Sequence, residues 1–311
     1  MNTAKHLIFI VVSLLLLHPG YLGAAPNLKV GIFLPEFPPL TNLTNLEQTL
    51  GGTFDAISWY QNWGVKTATS NKLKYVCKAQ KTPIITWEPW GGRGTITTYP
   101  LDQIAAGKFD SIISTQLADM YKQATENGCQ EIWVRFAHEM NTPVGVVYWY
   151  PWQGNPTTYI AAWKHVVDLG RAFPNFYKWV WSPAWGNSDA NLYYPGADYV
   201  DYVGTTINQY WNPSNKSEWR TWQEYYTADA PVLELFGKPI VIGETATGEG
   251  PLAGSKADWV SSMFESAKKN TLIVAVVWFD NYASRQYPDV NFRLDSSTQS
   301  LEAFKAFLSH R

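Results

Sequence analysis

The chain has 311 residues, 46% of them hydrophobic, enough to bury a full core as one large domain or two small ones. With 24 basic and 26 acidic side chains its formal net charge is -2, so neither nucleic acid nor an anionic membrane surface is indicated as a partner. Aromatic residues are in excess, with 16 Trp, 18 Tyr and 14 Phe. Indole and phenol rings suit surfaces that are apolar yet wet at one edge, so a use beyond core packing is expected.

Residues 1–24 have the layout of a secretory signal peptide: Lys5 and His6, an apolar run from Leu7 to Leu17, a break at Pro19-Gly20, and small residues from Gly23 to Ala25. Cleavage after Ala24 is expected, because Pro26 disfavours a cut at Ala25. The apolar run is too short to be a stable membrane anchor, so residues 25–311 are expected to be secreted and soluble. Cys77 and Cys129 are the only cysteines, which excludes a Cys-rich metal site or disulfide scaffold. In an exported chain they either pair or remain as buried thiols, and their spacing does not decide between the two.

Apolar β-type runs recur at 29–35, 54–60, 82–89, 131–139, 178–183, 201–210, 239–245 and 273–281. Stretches of helical periodicity lie between them. One runs from Asp110 to Asn127; another runs from Thr157 to Leu169, entered after Asn155-Pro156 and closed by Gly170. Continuous hydrophobic strands alternating with helices predict parallel strands covered on the outside, and the α/β fold expected is a single (β/α)8 TIM barrel. An open doubly wound sheet is the competitor. It is disfavoured because "LPEFPPL", not a Gly-rich phosphate fingerprint, follows the first strand.

In such a barrel, reactive groups gather at the C-terminal ends of the strands. The fourth run, "EIWVRFAHE", ends in Glu139, and period-2 alternation puts Arg135, Ala137 and Glu139 on one face, with Ile132, Val134 and Phe136 on the other. A structural pair between Glu139 and Arg135 is the alternative to a reactive carboxylate. The seventh run, "PIVIGET", delivers Glu244 in the same way, with Ile240 and Ile242 on its face and Gly243 just before it. Two strand-end carboxylates over one barrel mouth supply what glycoside hydrolysis needs, a proton donor for the leaving oxygen and an ionised nucleophile or base. A metal could also use paired carboxylates, but the strands offer no compact His cluster, so no metal or cofactor is expected.

The order "IITWEPW", "IWVRFAHEMN" with "YWYPW" after it, "YYPGADYVDYVG", "KPIVIGE", "VVWFDN" and "FRLDSS" resembles glycoside hydrolase family 26 from about residue 29 to the C-terminus. The resemblance implies a retaining (β/α)8 enzyme with Glu139 as acid/base and Glu244 as nucleophile. The two carboxyl groups should then stand about 5–5.5 Å apart. It further implies that His138, beside the acid/base, contacts the sugar or orders the carboxylates. Strict alternation points His138 outward, so that role requires the strand to break there. Tyr210, ending the sixth strand, is a candidate to hydrogen-bond Glu244. The strand-end aromatics Trp87, Trp90, Trp149, Tyr150, Trp152 and Trp278 become candidates to stack on pyranose faces, with Trp152 and Trp278 foremost. Glu88 is a third strand-end acid, for which a solvated loop charge is the expected state.

Family members act mostly on β-1,4-mannan, and others on mixed-linkage β-1,3-1,4-glucan or β-1,3-xylan. Thr245 stands where Phe commonly follows the nucleophile, and the loop after Asn141 is longer than the family's, both of which bear on the sugar subsites. The expectation is a monomeric endo-β-glycanase acting on a polysaccharide, mannan first and mixed-linkage glucan second. A non-catalytic carbohydrate-binding barrel is the contrasting class.

Overall fold

The computed structural model describes residues 28–34, 40–64, 68–92, 98–142, 150–186, 189–211, 218–282 and 290–310. The leader, its cleavage point and Trp149 lie outside these residues. Eight parallel strands close into a barrel in chain order: β1 (Lys29–Phe33), β2 (Ala56–Asn62), β3 (Thr82–Glu88), β4 (Ile132–Phe136), β5 (Tyr177–Trp181), β6 (Tyr202–Gln209), β7 (Ile240–Thr247) and β8 (Ile273–Phe279). Helices α1 (Leu40–Leu50), α2 (Ala68–Lys78), α3 (Leu101–Ala105), α4 (Asp110–Thr125), α5 (Pro156–Gly170), α6 (Trp222–Glu234), α7 (Ser255–Lys269) and α8 (Thr298–Leu308) accompany them. The expected (β/α)8 barrel is therefore the fold, and pairing of β1 with β8 leaves no edge exposed.

Both faces of the strands are buried, in two separate hydrophobic layers. Ala56, Ile84, Trp133, Val180, Val241, Ala275 and Val277 fill the lumen. The alternate residues, among them Ile57, Ile85, Val134, Trp181 and Ile242, pack outward under the helices. Gly31 belongs to the crowded lumen: a Cβ there would stand 3.1 Å from Val277 Cγ2 and 3.2 Å from the Ala56 carbonyl.

Local chemistry sets the helix ends. Asn155 caps α5 by accepting from Thr158 N–H at 3.0 Å, with Pro156 in the first turn, where its missing N–H costs nothing. Gly170 is the last residue of α5, not a stop signal beyond it. A Cβ there would meet Trp179 Cζ2 at 2.6 Å, so glycine permits the helix to touch β5. Thr221 and Glu224 form a capping box at the start of α6.

Cys77, near the end of α2, and Cys129, just before β4, form a disulfide across a sequence separation of 52. A loop of that length should stabilise the fold by about 2–4 kcal/mol, chiefly by restricting the unfolded chain. The double substitution Cys77→Ala, Cys129→Ala is expected to lower unfolding free energy by that amount in urea titrations while leaving turnover at room temperature unchanged. An unchanged denaturation midpoint would contradict this.

Candidate active site

The site begins where β4 stops. The strand ends at Phe136, and Ala137 (φ 42°) and Glu139 (φ 53°) both adopt left-handed backbone conformations, which cost energy for residues with a Cβ. The break is held by its neighbours. Ala137 N–H donates to the Trp87 carbonyl at 3.1 Å and Glu139 N–H to the Ser182 carbonyl at 2.8 Å. Trp152 Nε1–H donates to the His138 carbonyl at 2.7 Å. Strand geometry therefore fails between Ala137 and Glu139, as the expected role of His138 requires, and Glu139 turns to the cavity at the barrel mouth.

Glu244 arrives by a different device. On β6, Thr205 pairs with Ile242 and the next residue, Thr206, pairs with Glu244, so Gly243 is an extra residue in β7. This bulge reverses the phase. Ile240 and Ile242 pack outward with the helices while Glu244 turns in, which corrects the expectation that all three share a face. Gly243 is required there, because a Cβ would lie 2.7 Å from Arg135 Nε.

Arg135 occupies the top of the lumen, fully buried. Its Nη1 donates to Glu244 Oε1 at 2.7 Å and to Thr86 Oγ1 at 3.1 Å, and Nη2 donates to Ser182 Oγ at 3.2 Å. Arg135 thus pairs with Glu244, not with Glu139 as the structural alternative supposed. Burial is the largest single influence and opposes its charge, but Glu244, Tyr60 and Glu139 together outweigh it and the guanidinium stays protonated. Tyr60 on β2 borders the same cavity; burial first, and then the negative charge of Glu244, push its phenol well above the usual tyrosine range, so it remains a proton-bearing group beside the carboxylate.

The cavity, about 390 Å³, is lined by Glu139, Glu244, Glu88, Tyr60, Trp90 and Tyr150, and Asn208, Tyr210, Phe279 and Phe292 are also part of its wall. Glu88 is buried here and accepts from Trp90 Nε1–H at 3.0 Å, which corrects the expected solvated loop charge. Tyr150 stacks on Trp152 with ring centroids 4.6 Å apart. Trp152 itself sits behind Tyr150, fully buried, and supports the wall from outside the lining.

Two of the expected sugar-stacking residues face away. Trp87 is buried beneath α4, where its indole N–H donates to Gln116 at 3.0 Å. Trp278 packs against Trp259 and Phe304 and donates to the Phe292 carbonyl at 2.9 Å. Each lies one residue out of phase with the group that reaches the cavity, Glu88 on β3 and Phe279 on β8. Tyr60, Asn208 and Phe279 join the lining without being expected there, although the polar alternation Ser58, Tyr60, Asn62 and Thr206, Asn208, Tyr210 marks the mouth-facing side of β2 and β6. Among the described residues no three His, Cys, Asp or Glu side chains converge as a metal site.

His138 does not reach the cavity. Its ring is fully buried against Tyr60, Tyr150 and Trp152, and neither ring nitrogen has a hydrogen-bond partner among the described residues. It therefore neither lines the cavity nor hydrogen-bonds the carboxylates. Burial, then the Arg135 charge, holds its pKa well below the usual histidine value. The unfolded imidazole takes a proton below about pH 6.5, so the unfolded state binds more protons there and stability falls with decreasing pH. The wild type is expected to lose about 2 kcal/mol more than His138→Phe between about pH 7 and pH 5, read from urea unfolding. Asp229 and Asp280, both raised to about 6 by burial, act in the opposite sense but are common to both chains and cancel. Equal losses would show that the folded imidazole is protonated.

A closed (β/α)8 barrel with glutamates from its fourth and seventh strands over one aromatic-walled cavity has the architecture of a glycoside hydrolase. The profile of glycosyl hydrolase family 26 matches residues 45–232. The chain belongs to that family. It is 29% identical over 296 residues to Endoglucanase H of Acetivibrio thermocellus, an alignment that takes in 90% of this chain but spans only 30% of that protein. Similar solved structures include a modular endo-β-1,4-mannanase from Cellulomonas fimi, with TM-score 0.64, 17% identity and coverage of 90% of this chain and 70% of that one. A β-mannanase from Bacteroides ovatus has TM-score 0.64 at 15% identity, covering 90% of this chain and 88% of the other. At these identities the two structures speak for the shared fold.

Proposed function

We propose that the chain is a secreted endo-β-glycanase that cleaves its polysaccharide with retention, Glu139 acting as acid/base and Glu244 as nucleophile. The observation that carries this reading is the convergence of both glutamates on one aromatic-walled cavity, with Glu244 oriented by fully buried Arg135 at 2.7 Å. Glu139 gives its proton to the glycosidic oxygen as Glu244 bonds to the anomeric carbon. Glu139 then takes a proton from water, which releases the sugar and restores both groups. Tyr60, with its phenol proton retained, stands beside the developing charge and can stabilise it by hydrogen bonding.

A second cavity continues past Glu139, giving a cleft open on both sides of the acid, which supports endo action. The Cys77–Cys129 disulfide suits an oxidising, extracytoplasmic destination, in keeping with the leader-like start of the chain. No helix among the described residues is long and apolar enough to cross a membrane. The mannanases among its structural relatives support β-mannan as the first substrate. The name of its relative at 29% identity, an endoglucanase, supports a β-glucan as the second reading.

The test is reducing-sugar release by residues 25–311 on galactomannan, lichenan, barley β-glucan, carboxymethylcellulose and β-1,3-xylan, with Glu139→Ala and Glu244→Ala as controls and the product anomer followed by NMR. Release from galactomannan as the β-anomer, lost in both variants, is the expected result. Sugar binding without release from any polymer would replace the hydrolase with a carbohydrate-binding barrel, and an α-anomer would replace retention with inversion.

A further inference from the structure

Lys256, in the first turn of α7, is fully buried, yet it is not among the residues lining either cavity and has no part in the reaction as described so far. A buried ammonium is costly unless its protons are taken up. Here each of the three finds an oxygen on one stretch of chain beyond β8: the Asn291 carbonyl at 3.1 Å, the Arg293 carbonyl at 2.7 Å and Ser296 Oγ at 2.7 Å. The Trp278 indole lies beneath, its centroid 5.7 Å from the ammonium, which adds a cation–π contact. No other side chain concentrates three charged donors in a single tetrahedral group.

The stretch that Lys256 holds, residues 290–296, belongs to no barrel strand or helix, so its backbone groups must find partners individually. Val290, Phe292 and Leu294 are buried, whereas Arg293 and Asp295 are exposed. Phe292 N–H donates to the Asn281 carbonyl at 2.9 Å, and Leu294 N–H donates to Asp280 Oδ1 at 2.6 Å. The Phe292 carbonyl accepts from Trp278 Nε1–H at 2.9 Å. Three consecutive carbonyls, those of residues 291 to 293, are therefore taken by one indole and one ammonium. The segment matters to the site because Phe292 borders the catalytic cavity, where its ring stands edge-on to Tyr210 at 5.4 Å and to Phe279 at 6.3 Å between centroids. One part of the cavity wall is thus carried by irregular chain whose place is fixed by side-chain donors.

We propose that Lys256 is a positioning residue for the reaction: its ammonium pins residues 291–296 so that Phe292 keeps its place in the cavity wall, and loss of that charge weakens substrate binding. The inference rests on the hydrolase reading above. Facing the ammonium are Glu249 after β7, at 4.0 Å, Asp280 at the end of β8 and Asp295 on the stretch itself, all of which favour its charge. Arg293 is paired with Asp295 at 2.7 Å. Burial outweighs the three carboxylates and lowers the Lys256 pKa to about 8. A neutral amine has two N–H groups for three acceptors, and Ser296 Oγ already gives its proton to Glu249, so deprotonation costs the clamp a bond. The clamp is therefore complete below about pH 8 and weakens above it.

The experiment measures KM and kcat between pH 7 and pH 9 on whichever of the five polymers above the wild type cleaves, for the wild type, Lys256→Met, Phe292→Ala and the double variant. Hydrogen exchange read by mass spectrometry at pH 7 reports on the clamp itself. Asp280, raised to about 6 by burial, stays ionised across this range, and Glu139 is common to all four chains. Lys256→Met should raise KM about tenfold at pH 7 with kcat within about threefold. A charge worth tenfold in affinity and lost around pH 8 makes the wild-type KM climb about fivefold from pH 7 to pH 9. That climb should vanish in Lys256→Met and in Phe292→Ala, and the double variant should be no worse than about twofold beyond Phe292→Ala. Exchange should quicken in residues 290–296 of Lys256→Met while β4 and β7 stay protected. Should Lys256→Met fail to fold, the wild-type climb and its absence in Phe292→Ala carry the test. A flat wild-type KM overturns the proposal, as does an equal climb in Phe292→Ala, additive effects in the double variant, or loss of protection in β4 and β7 as well. Absence of turnover by the wild type on all five polymers would overturn the hydrolase reading and this proposal with it.

Discussion

Glu244→Ala is expected to reduce turnover of a β-glycoside by a factor on the order of 10⁴ to 10⁶, or about 5–8 kcal/mol of transition-state stabilisation. Its carboxylate forms and breaks the only covalent bond between chain and substrate in the proposed cycle, and no other group in the cavity can replace it without leaving its own hydrogen bonds. Glu88 is committed to Trp90 at 3.0 Å, and Glu139 comes from the broken end of β4 to line the same cavity. Truncation opens space beside Arg135, so azide is expected to enter, restore part of the turnover of an aryl glycoside, and leave a glycosyl azide of inverted configuration. Glu139→Ala should behave differently, sparing the first step with an activated leaving group that needs no proton. Rescue of Glu139→Ala but not of Glu244→Ala by azide as an inverted product would exchange the two roles.

Arg135→Met is expected to cost about 3–5 kcal/mol of stability, because it leaves the buried Glu244 carboxylate without its cation. The guanidinium is fully buried and donates to Thr86 on β3, to Ser182 just after β5 and to Glu244 on β7. The loss should be largely charge, not volume, since methionine fills much of the same space. Adding Glu244→Gln to Arg135→Met should therefore recover more than half of the lost stability in urea unfolding, although the double variant is inactive. If the two substitutions instead add, the cost is one of packing and the ion pair contributes little.

The barrel was legible because each strand is an apolar run and each run is followed by helical periodicity, signals that reside in neighbouring residues. All eight strands lie within a few residues of their expected bounds, and the helix expected from Asp110 ends at Thr125. The phase of each strand was less legible. In a barrel both strand faces are buried, so hydrophobicity does not distinguish the lumen from the helix side. Position at strand ends points Trp87 and Trp278 to the mouth, yet they alternate with Glu88 and Phe279, which hold it. The better signal was polarity, since Ser58, Tyr60 and Asn62 on β2 put uncharged polar groups on alternate residues where a purely structural strand would have none.

The sequence by itself determined that eight strand and helix units alternate and that a glutamate lies near the C-terminal end of the fourth and of the seventh strand, because secondary-structure period is a local property. Only the tertiary structure decided that Cys77 meets Cys129, that the Gly243 bulge turns Glu244 inward, and that Arg135 serves Glu244, a partner 109 residues away, and not Glu139. Each depends on how separate elements pack: α2 against the start of β4, β6 against β7, and β4 facing β7 across the closed barrel. The crowding that forbids a Cβ at Gly243 is the same crowding that orients the carboxylate.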